Sequence, residues 1–347
     1  MTAIKATSVV LCVGLNPALD VTYHVDQLAH GQAQRVRSVT TRAGGKASNV
    51  CRVVATLGGV AHLVAPVGGT SGMEYVGLLA ADHVPHTAVP VSGATRQTVA
   101  VVEDDGTTTL LSESGAAATE SDWAAITSCV REALSAGVTT SGVTTSGVTT
   151  GSVEALVISG SVAPGLPDDA VAQLVRMGRA HGIPVLVDAS GSQLTAALAA
   201  KPHVVKPNSE ELLEVTGMSG SEGAHRLADQ HQGTVVAASH GPEGLVVIDA
   251  TGLRVHARPG RELRGNPTGA GDAAVAAIVL GLLRSAAWED IARSAVAASG
   301  AAVLEPVAGV VDPSRVAELA EQVTVTELPG PGPTPLVRQS SPEGRHP

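Results

Sequence analysis

The sequence predicts an α/β fold in which a central, mostly parallel sheet is flanked by helices and carries a small antiparallel β flap. Three observations carry this. Strand-length apolar runs bounded by turn residues occur at Val9 to Val13, Ala155 to Ile158, Pro184 to Val187 and Val235 to Ala238. Helical patterns lie between them, and that alternation gives parallel strands joined by crossover helices. Two pairs of short, β-branched-rich segments interrupt the alternation and read as the flap: Val21 to Asp26 with Arg35 to Thr41, and Thr98 to Glu103 with Thr107 to Leu111.

Along the chain, the first strand is followed by the first flap pair, in the stretch from about residue 20 to 41. A helix is predicted from Lys46 to Leu57, with Ala47, Val50, Val53, Val54 and Leu57 on one face and Gly58-Gly59 ending it. The second flap pair falls within about 87–112 and turns at Asp104-Asp105-Gly106, and the α/β body resumes at about Thr119 and runs to about Thr326. Within it, Gly137 to Thr150 contains Gly-Val-Thr-Thr three times at a five-residue step, which reads as an expanded surface loop over 137–151. A short strand spans His203 to Val205, and a Gly/Pro turn, Ser239 to Gly244, separates Val235 to Ala238 from Leu245 to Ile248. One domain over 1–328 is expected, with a disordered Pro/Gly/Ser-rich tail over 329–347.

Composition excludes several functions. A net charge of −10 with scattered Lys and Arg offers no basic stripe for a nucleic acid. The longest apolar run, Ala273 to Leu283, is far shorter than the roughly 20 residues of a spanning helix, so no membrane partner is expected. Three cysteines without a metal-ligand spacing, and no convincing secretory signal, predict a cytoplasmic protein with no disulfide framework. With no Phe, two Trp and two Tyr, the core must be built from Ala, Val and Leu.

The strongest chemical signal is Asn266-Pro267-Thr268-Gly269-Ala270-Gly271-Asp272, followed by a helical apolar run. Gly269, Ala270 and Gly271 let backbone N–H groups at a helix N-terminus approach an anion closely, and Asp272 beside such a hole can take a proton from an attacking hydroxyl. Helix capping by Thr268 or Asp272 explains the same residues without chemistry. Gly44-Gly45 before a helix repeats the close-approach backbone, and Lys46, Asn49 and Arg96 are donors suited to a phosphoryl group. A Lys at a helix N-terminus opposes the dipole, so a nearby anion would explain Lys46; Arg96 could instead pair with Glu103 across the flap. Asp20 follows a strand end, where its carboxylate can accept hydrogen bonds from sugar hydroxyls. Asn208 and Glu211, three apart at a helix start, could hold a hydrated Mg²⁺ or form a capping box.

These blocks appear in the order found in the PfkB family of carbohydrate kinases, which the sequence resembles from about Val9 to Leu319. The carboxy-terminal heptapeptide is similar to that family's Asp-Thr-x-Gly-Ala-Gly-Asp signature, and Ala43 to Arg52 to its first signature. Leu15 to Asp20, Ala94 to Gln97, Ser159 to Gly165, Asp188 to Gly191, Lys206 to Glu211 and Ser239 to Gly244 are similar to its other blocks. The resemblance implies a ribokinase-like fold and an ATP- and Mg²⁺-dependent kinase. Asp272 would be its base and Gly269, Ala270 and Gly271 its anion hole. Asp20, Gly44, Gly45, Lys46, Asn49, Arg96 and Ser161 would bind the sugar, although turn chemistry explains Ser161 as well. Lys206, Asn208, Ser239, Gly241 and Gly244 would bind nucleotide, and Asn208 and Glu211 the metal, through water.

Within the family the blocks resemble the branch acting on phosphorylated ketohexoses. The expected reaction is phosphorylation of a ketohexose phosphate to a bisphosphate. Fructose 1-phosphate is placed first as acceptor, with tagatose 6-phosphate and fructose 6-phosphate as alternatives; a non-catalytic sugar or nucleotide sensor is the alternative of another class. Asn266 stands where the family commonly has Asp, which leaves activation by a monovalent cation open. The flap is a plausible homodimer surface by the same resemblance.

Overall fold

The structure, a computed structural model, describes residues 8–141, 148–249 and 252–328. Strand β1 (Ser8–Val13) is buried at every residue and leads through Asn16-Pro17 into β2 (Ala18–His24). β3 (Ser38–Ala43) returns beside β2, and Gly44-Gly45 then opens α1 (Lys46–Thr56). β4 (Val60–Val67), α2 (Gly69–Ala81) and β5 (His86–Pro90) follow, then the hairpin of β6 (Arg96–Val102) and β7 (Thr108–Ser112). That hairpin turns at Asp104-Asp105-Gly106, where Gly106 adopts φ 87°, a left-handed conformation that favours glycine. α3 (Glu120–Ala136) begins on a capping box between Thr119 and Asp122.

The second half runs through β8 (Val138–Ser141), β9 (Val148–Ser159), α4 (Ala170–Ala180), β10 (Val185–Asp188), α5 (Gly191–Ala199), β11 (Val204–Val205), α6 (Ser209–Thr216) and α7 (Gly220–Gln230). β12 (Val235–Ser239), β13 (Leu245–Ile248) and β14 (Arg254–Arg258) come next. α8 (Ala270–Leu283), α9 (Trp288–Val303), α10 (Pro313–Gln322) and β15 (Thr324–Glu327) complete the described elements.

The main sheet has the order β15-β14-β13-β12-β11-β10-β9-β1-β4-β5, with β8 beside β9. All pairings from β12 through β5 are parallel, while β13, β14 and β15 add an antiparallel edge. Alternation along β1 sends Val10 and Cys12 into one core layer, under α1, α8 and α9, and Val9, Leu11 and Val13 into the other, under α3 to α7. Small residues let the helices come close: a Cβ on Gly281 of α8 would stand 2.6 Å from Ile291 Cγ1 of α9. Among the described residues no helix is long and apolar enough to cross a membrane.

Two expectations change. The flap is a separate sheet, β3-β2-β6-β7, in which the two antiparallel pairs are joined by a parallel pairing of β2 with β6. The Gly-Val-Thr-Thr segment is not a plain loop, because Val138–Ser141 pairs antiparallel with Val148–Gly151, as β-branched Val and Thr favour. Its middle, 142–147, and the tail expected at 329–347 lie outside the described residues.

Candidate active site

Parallel strands all end on the same edge, so β1, β9, β10, β11 and β12 deliver their carboxy-terminal residues to one cleft. The cleft has a volume of about 1090 Å³. All the site residues expected from sequence line it except Glu211, whose neighbour Glu210 lines it instead. Such a volume exceeds that of a typical pocket for one small ligand.

On one wall α8 presents its N-terminus. Gly269 is the N-cap at φ 87°, and a Cβ there would also meet Ala308 Cβ at 2.9 Å, so only glycine fits. Three residues into the turn, Asp272 is 5% exposed. Burial, and then the charge of Asp188, push its carboxyl up to about 6, against the pull of a hydrogen bond from Asn49 and of Lys46 and Lys206. Asn49 Nδ2 donates to Asp272 Oδ2 at 2.9 Å. Thr268 and Asp272 make no side-chain cap, so the capping explanation of this motif fails. Asn266 instead accepts from Thr268 N–H at 3.0 Å and donates to the Pro306 carbonyl, shaping the turn before the hole.

At the floor lies a cluster whose centre sequence reasoning missed. Asp188, 1% exposed at the end of β10, receives Lys206 Nζ at 3.2 Å on Oδ1 and Lys46 Nζ at 3.3 Å on Oδ2. Ser159 Oγ also donates to Oδ2 at 3.2 Å. Burial pulls the Asp188 carboxyl up, but Lys206 and Lys46 outweigh it and hold it below the usual range. The signal in sequence was a charged residue closing an otherwise apolar strand. The protein itself supplies one anion beside Lys46, Asp188, which raises the Lys46 ammonium above its ordinary range. Lys206 also reaches α8: a Cβ on Gly271 would lie 3.5 Å from its Nζ.

The opposite end is formed by the flap sheet. A Cβ on Gly44 would stand 2.0 Å from the Asp20 carboxyl, so the glycine makes room for that side chain. Burial pushes Asp20 up to about 6, offset by Arg96, Arg52 and Arg42 and by a Gly45 backbone hydrogen bond. Arg96 does not pair with Glu103, which accepts from Leu28 N–H. It donates to the carbonyls of Asn16 and Glu113, at 3.2 and 2.9 Å, and so is fixed at the cleft wall. Asn16, in the turn between β1 and β2, also lines the cleft and donates to Ser161 Oγ at 3.2 Å.

Toward β12, Asn208 and Glu211 form the capping box of α6: Asn208 Oδ1 accepts from Glu211 N–H at 2.8 Å, and Glu211 Oε2 from Asn208 N–H at 2.9 Å. The box uses one of the two Glu211 oxygens. Among the described residues no group of three or more His, Cys, Asp or Glu could hold a metal directly. The second Glu211 oxygen would be available to a hydrated Mg²⁺, an ion that needs few protein oxygens. Ser239, Gly241 and Gly244 line the cleft nearby, and a Cβ on Gly244 would clash with the Ala257 carbonyl at 2.0 Å. His240 turns to Ser209 instead of the cleft.

Residues 8–315 match the pfkB family carbohydrate kinase model. The chain is 31% identical over 298 residues to the ATP-dependent 6-phosphofructokinase isozyme 2 of Escherichia coli, covering 84% of this chain and 91% of that protein. It is 32% identical over 330 residues to a 1-phosphofructokinase of Xanthomonas campestris, covering 92% and 98%. Among solved structures, the tetrameric inhibited form of phosphofructokinase-2 from Escherichia coli superposes with a TM-score of 0.79 at 28% identity, covering 91% of this chain and 98% of that one.

The strained protonation of Asp272 predicts a stability change. A carboxyl raised from 3.8 to about 6 on folding contributes stability that is present below pH 3.8 and lost as pH rises through about 6. Asp272→Asn, which still accepts from Asn49, should raise the Tm at pH 7.5, and the increment should shrink at pH 5. Thermal melts of both proteins at the two pH values check this.

Proposed function

The chain belongs to the pfkB family of carbohydrate kinases, and on that premise we propose that it transfers the γ-phosphoryl group of ATP to a hydroxyl of a ketohexose phosphate, with fructose 1-phosphate as the preferred acceptor. The observation that carries this reading is a buried, upshifted Asp272 at the glycine-lined N-terminus of α8. It shares one cleft with Arg96 and Asp20 at one end and Lys206 at the other. The similarity to both a 1-phosphofructokinase and a 6-phosphofructokinase supports a phosphorylated ketohexose and leaves the order of acceptors to experiment. The family's reaction supports a cytoplasmic enzyme.

In the proposed reaction Asp20 accepts hydrogen bonds from sugar hydroxyls, while Arg96 and Lys46 face the phosphate already on the acceptor. Asp272 takes the proton of the attacking hydroxyl as its oxygen bonds to the γ-phosphorus. The bond from that phosphorus to the bridging oxygen breaks, and ADP departs. The N–H groups of Gly269, Ala270 and Gly271, with Lys206 behind them, stabilise the charge on the transferring group. Glu211 and Asn208 would hold Mg²⁺ through water, and the ion would supply charge neutralisation between the phosphates. A carboxyl poised near 6 is ionised at neutral pH yet basic enough to accept the proton. The mixed flap sheet, lying over the acceptor end, would exclude water.

The flap also supports a homodimer. Val39 and Leu111, 54 and 60% exposed, fall on one face of it by the strand pairings, an apolar surface that a second copy would cover. The Escherichia coli phosphofructokinase-2 was solved as a tetramer.

Three outcomes test this reading. ADP release measured with fructose 1-phosphate, fructose 6-phosphate and tagatose 6-phosphate should give the highest kcat/KM for the first, and equal rates with unphosphorylated fructose would overturn the assignment of acceptor class. Asp272→Asn should lose at least ~100-fold in kcat with nucleotide binding retained, whereas near-parental turnover would remove Asp272 as the base. Glu211→Gln keeps an oxygen for the capping box, so the Mg²⁺ concentration for half-maximal activity should rise with the Tm unchanged; a lower Tm with unchanged Mg²⁺ dependence would leave only the cap. For the flap, Val39→Glu with Leu111→Glu should convert a dimer to a monomer by light scattering, and a monomeric parent would end the dimer proposal.

A further inference from the structure

One buried guanidinium has no place in the reaction just described. Arg52 lies on α1, one turn beyond Asn49, and is 8% exposed. Its Nε and Nη2 lie 3.0 and 2.9 Å from Asp82 Oδ2, Nη2 also donates to the Ala43 carbonyl at 2.7 Å, and Nη1 donates to Asn49 Oδ1 at 3.3 Å. Asn49 in turn donates from Nδ2 to Asp272 Oδ2 at 2.9 Å. The result is a continuous line of polar contacts from Asp82 through Arg52 and Asn49 to the carboxylate.

We propose that Arg52, anchored by Asp82, is a positioning residue for the reaction, holding the Asn49 carboxamide in the orientation that aims its N–H at Asp272. The proposal rests on the reading of Asp272 as the base. A carboxamide has an acceptor end and a donor end of nearly the same shape, so packing alone does not choose between its two orientations. A guanidinium only donates, so it accepts the Oδ1 end alone and turns Nδ2 toward Asp272.

The anchor has its own signature. Asp82 caps the carboxy-terminal end of α2, where a carboxylate opposes the helix dipole. Arg52 and, at 3.6 Å, Arg42 offset that cost. With Asp82 36% exposed, water screens the pair and it adds little stability, so a role in orientation better accounts for it.

The surrounding charges define the readout. Asp272 is faced by Asp188 from β10, by Lys46 and Asn49 from α1 and by Lys206 after β11, while Arg52 also faces Asp20 of β2 and Arg42 of β3. Loss of Arg52 therefore acts on Asp272 through Asn49 and on Asp20 directly. The Asp20 effect appears in kcat/KM for the sugar phosphate and persists without Asn49. The Asp272 effect appears in kcat at saturation and disappears without Asn49.

The experiment compares Arg52→Met, Asn49→Ala and their combination in the full chain, with kcat measured across pH at saturating ATP and sugar phosphate. Arg52→Met should lower kcat by ~10-fold or more and move the acidic limb of kcat to higher pH, because a carboxylate that loses a donated hydrogen bond is protonated more readily. The double variant should be no worse than Asn49→Ala. Arg52→Lys, which keeps the charge without the fork, should restore little. Asp82→Asn, on a part-exposed side chain, should act in the same direction and covers the case in which Arg52→Met does not fold. An unmoved acidic limb with only a lower Tm, or losses that multiply in the double variant, would overturn the proposal. Asp272→Asn is measured beside them: retained turnover there defeats the base assignment itself, whereas its loss with an unmoved limb in Arg52→Met defeats only the positioning role.

Discussion

The buried carboxylate of Asp188, held between Lys206 and Lys46, is the interaction around which the rest of the cleft is arranged. A charge with 1% exposure is tolerated only when paired and hydrogen-bonded, and here two ammonium groups and the Ser159 hydroxyl supply that. The four elements that meet at it, β10, the end of β9, the segment after β11 and the start of α1, are thereby fixed relative to one another. Its negative charge also reaches Asp272, where it adds to burial in keeping that group close to neutrality in pH terms. One pairing thus locates two cations and shifts the protonation of one further carboxyl.

The site stores unfavourable energy where chemistry needs it. Asp20 and Asp272 both sit near pKa 6 because the fold withholds water from them, while the cations around them stop short of full compensation. The glycines at Gly44 and Gly269 belong to the same economy of space, since a side chain at either would fill room that a carboxyl or an incoming anion occupies. Meanwhile the alanine-rich packing of α8 against α9 makes the helix that presents Asp272 a rigid support.

Much of this was legible in the sequence. The continuous apolar run of β1, the start of α1 at Lys46 and the glycine-flanked turn before α8 follow from local patterns that tertiary contacts reinforce. What was not legible depended on contacts between distant segments. The parallel pairing of β2 with β6 joins residues 78 positions apart, and no local turn announces it. Asp188 looked like one polar residue at a strand end, and only the fold brings Lys46, 142 positions away in sequence, to its oxygen. The same holds for Asn49, which bonds to Asp272 across 223 positions. The Gly-Val-Thr-Thr segment was misjudged in the opposite direction, because repetition drew attention away from the strand propensity of Val and Thr.

The parallel pairing has a mechanical meaning. Ala18 stands opposite Arg96 and Asp20 opposite Thr98, so the acidic and basic side chains at the acceptor end ride on neighbouring strands of one small sheet. Tilting that sheet carries both groups together at fixed spacing. Under the proposed function, sugar occupancy and lid angle would then be two readings of a single coordinate, and a ligand that engages only one of the two groups would still report on the whole motion.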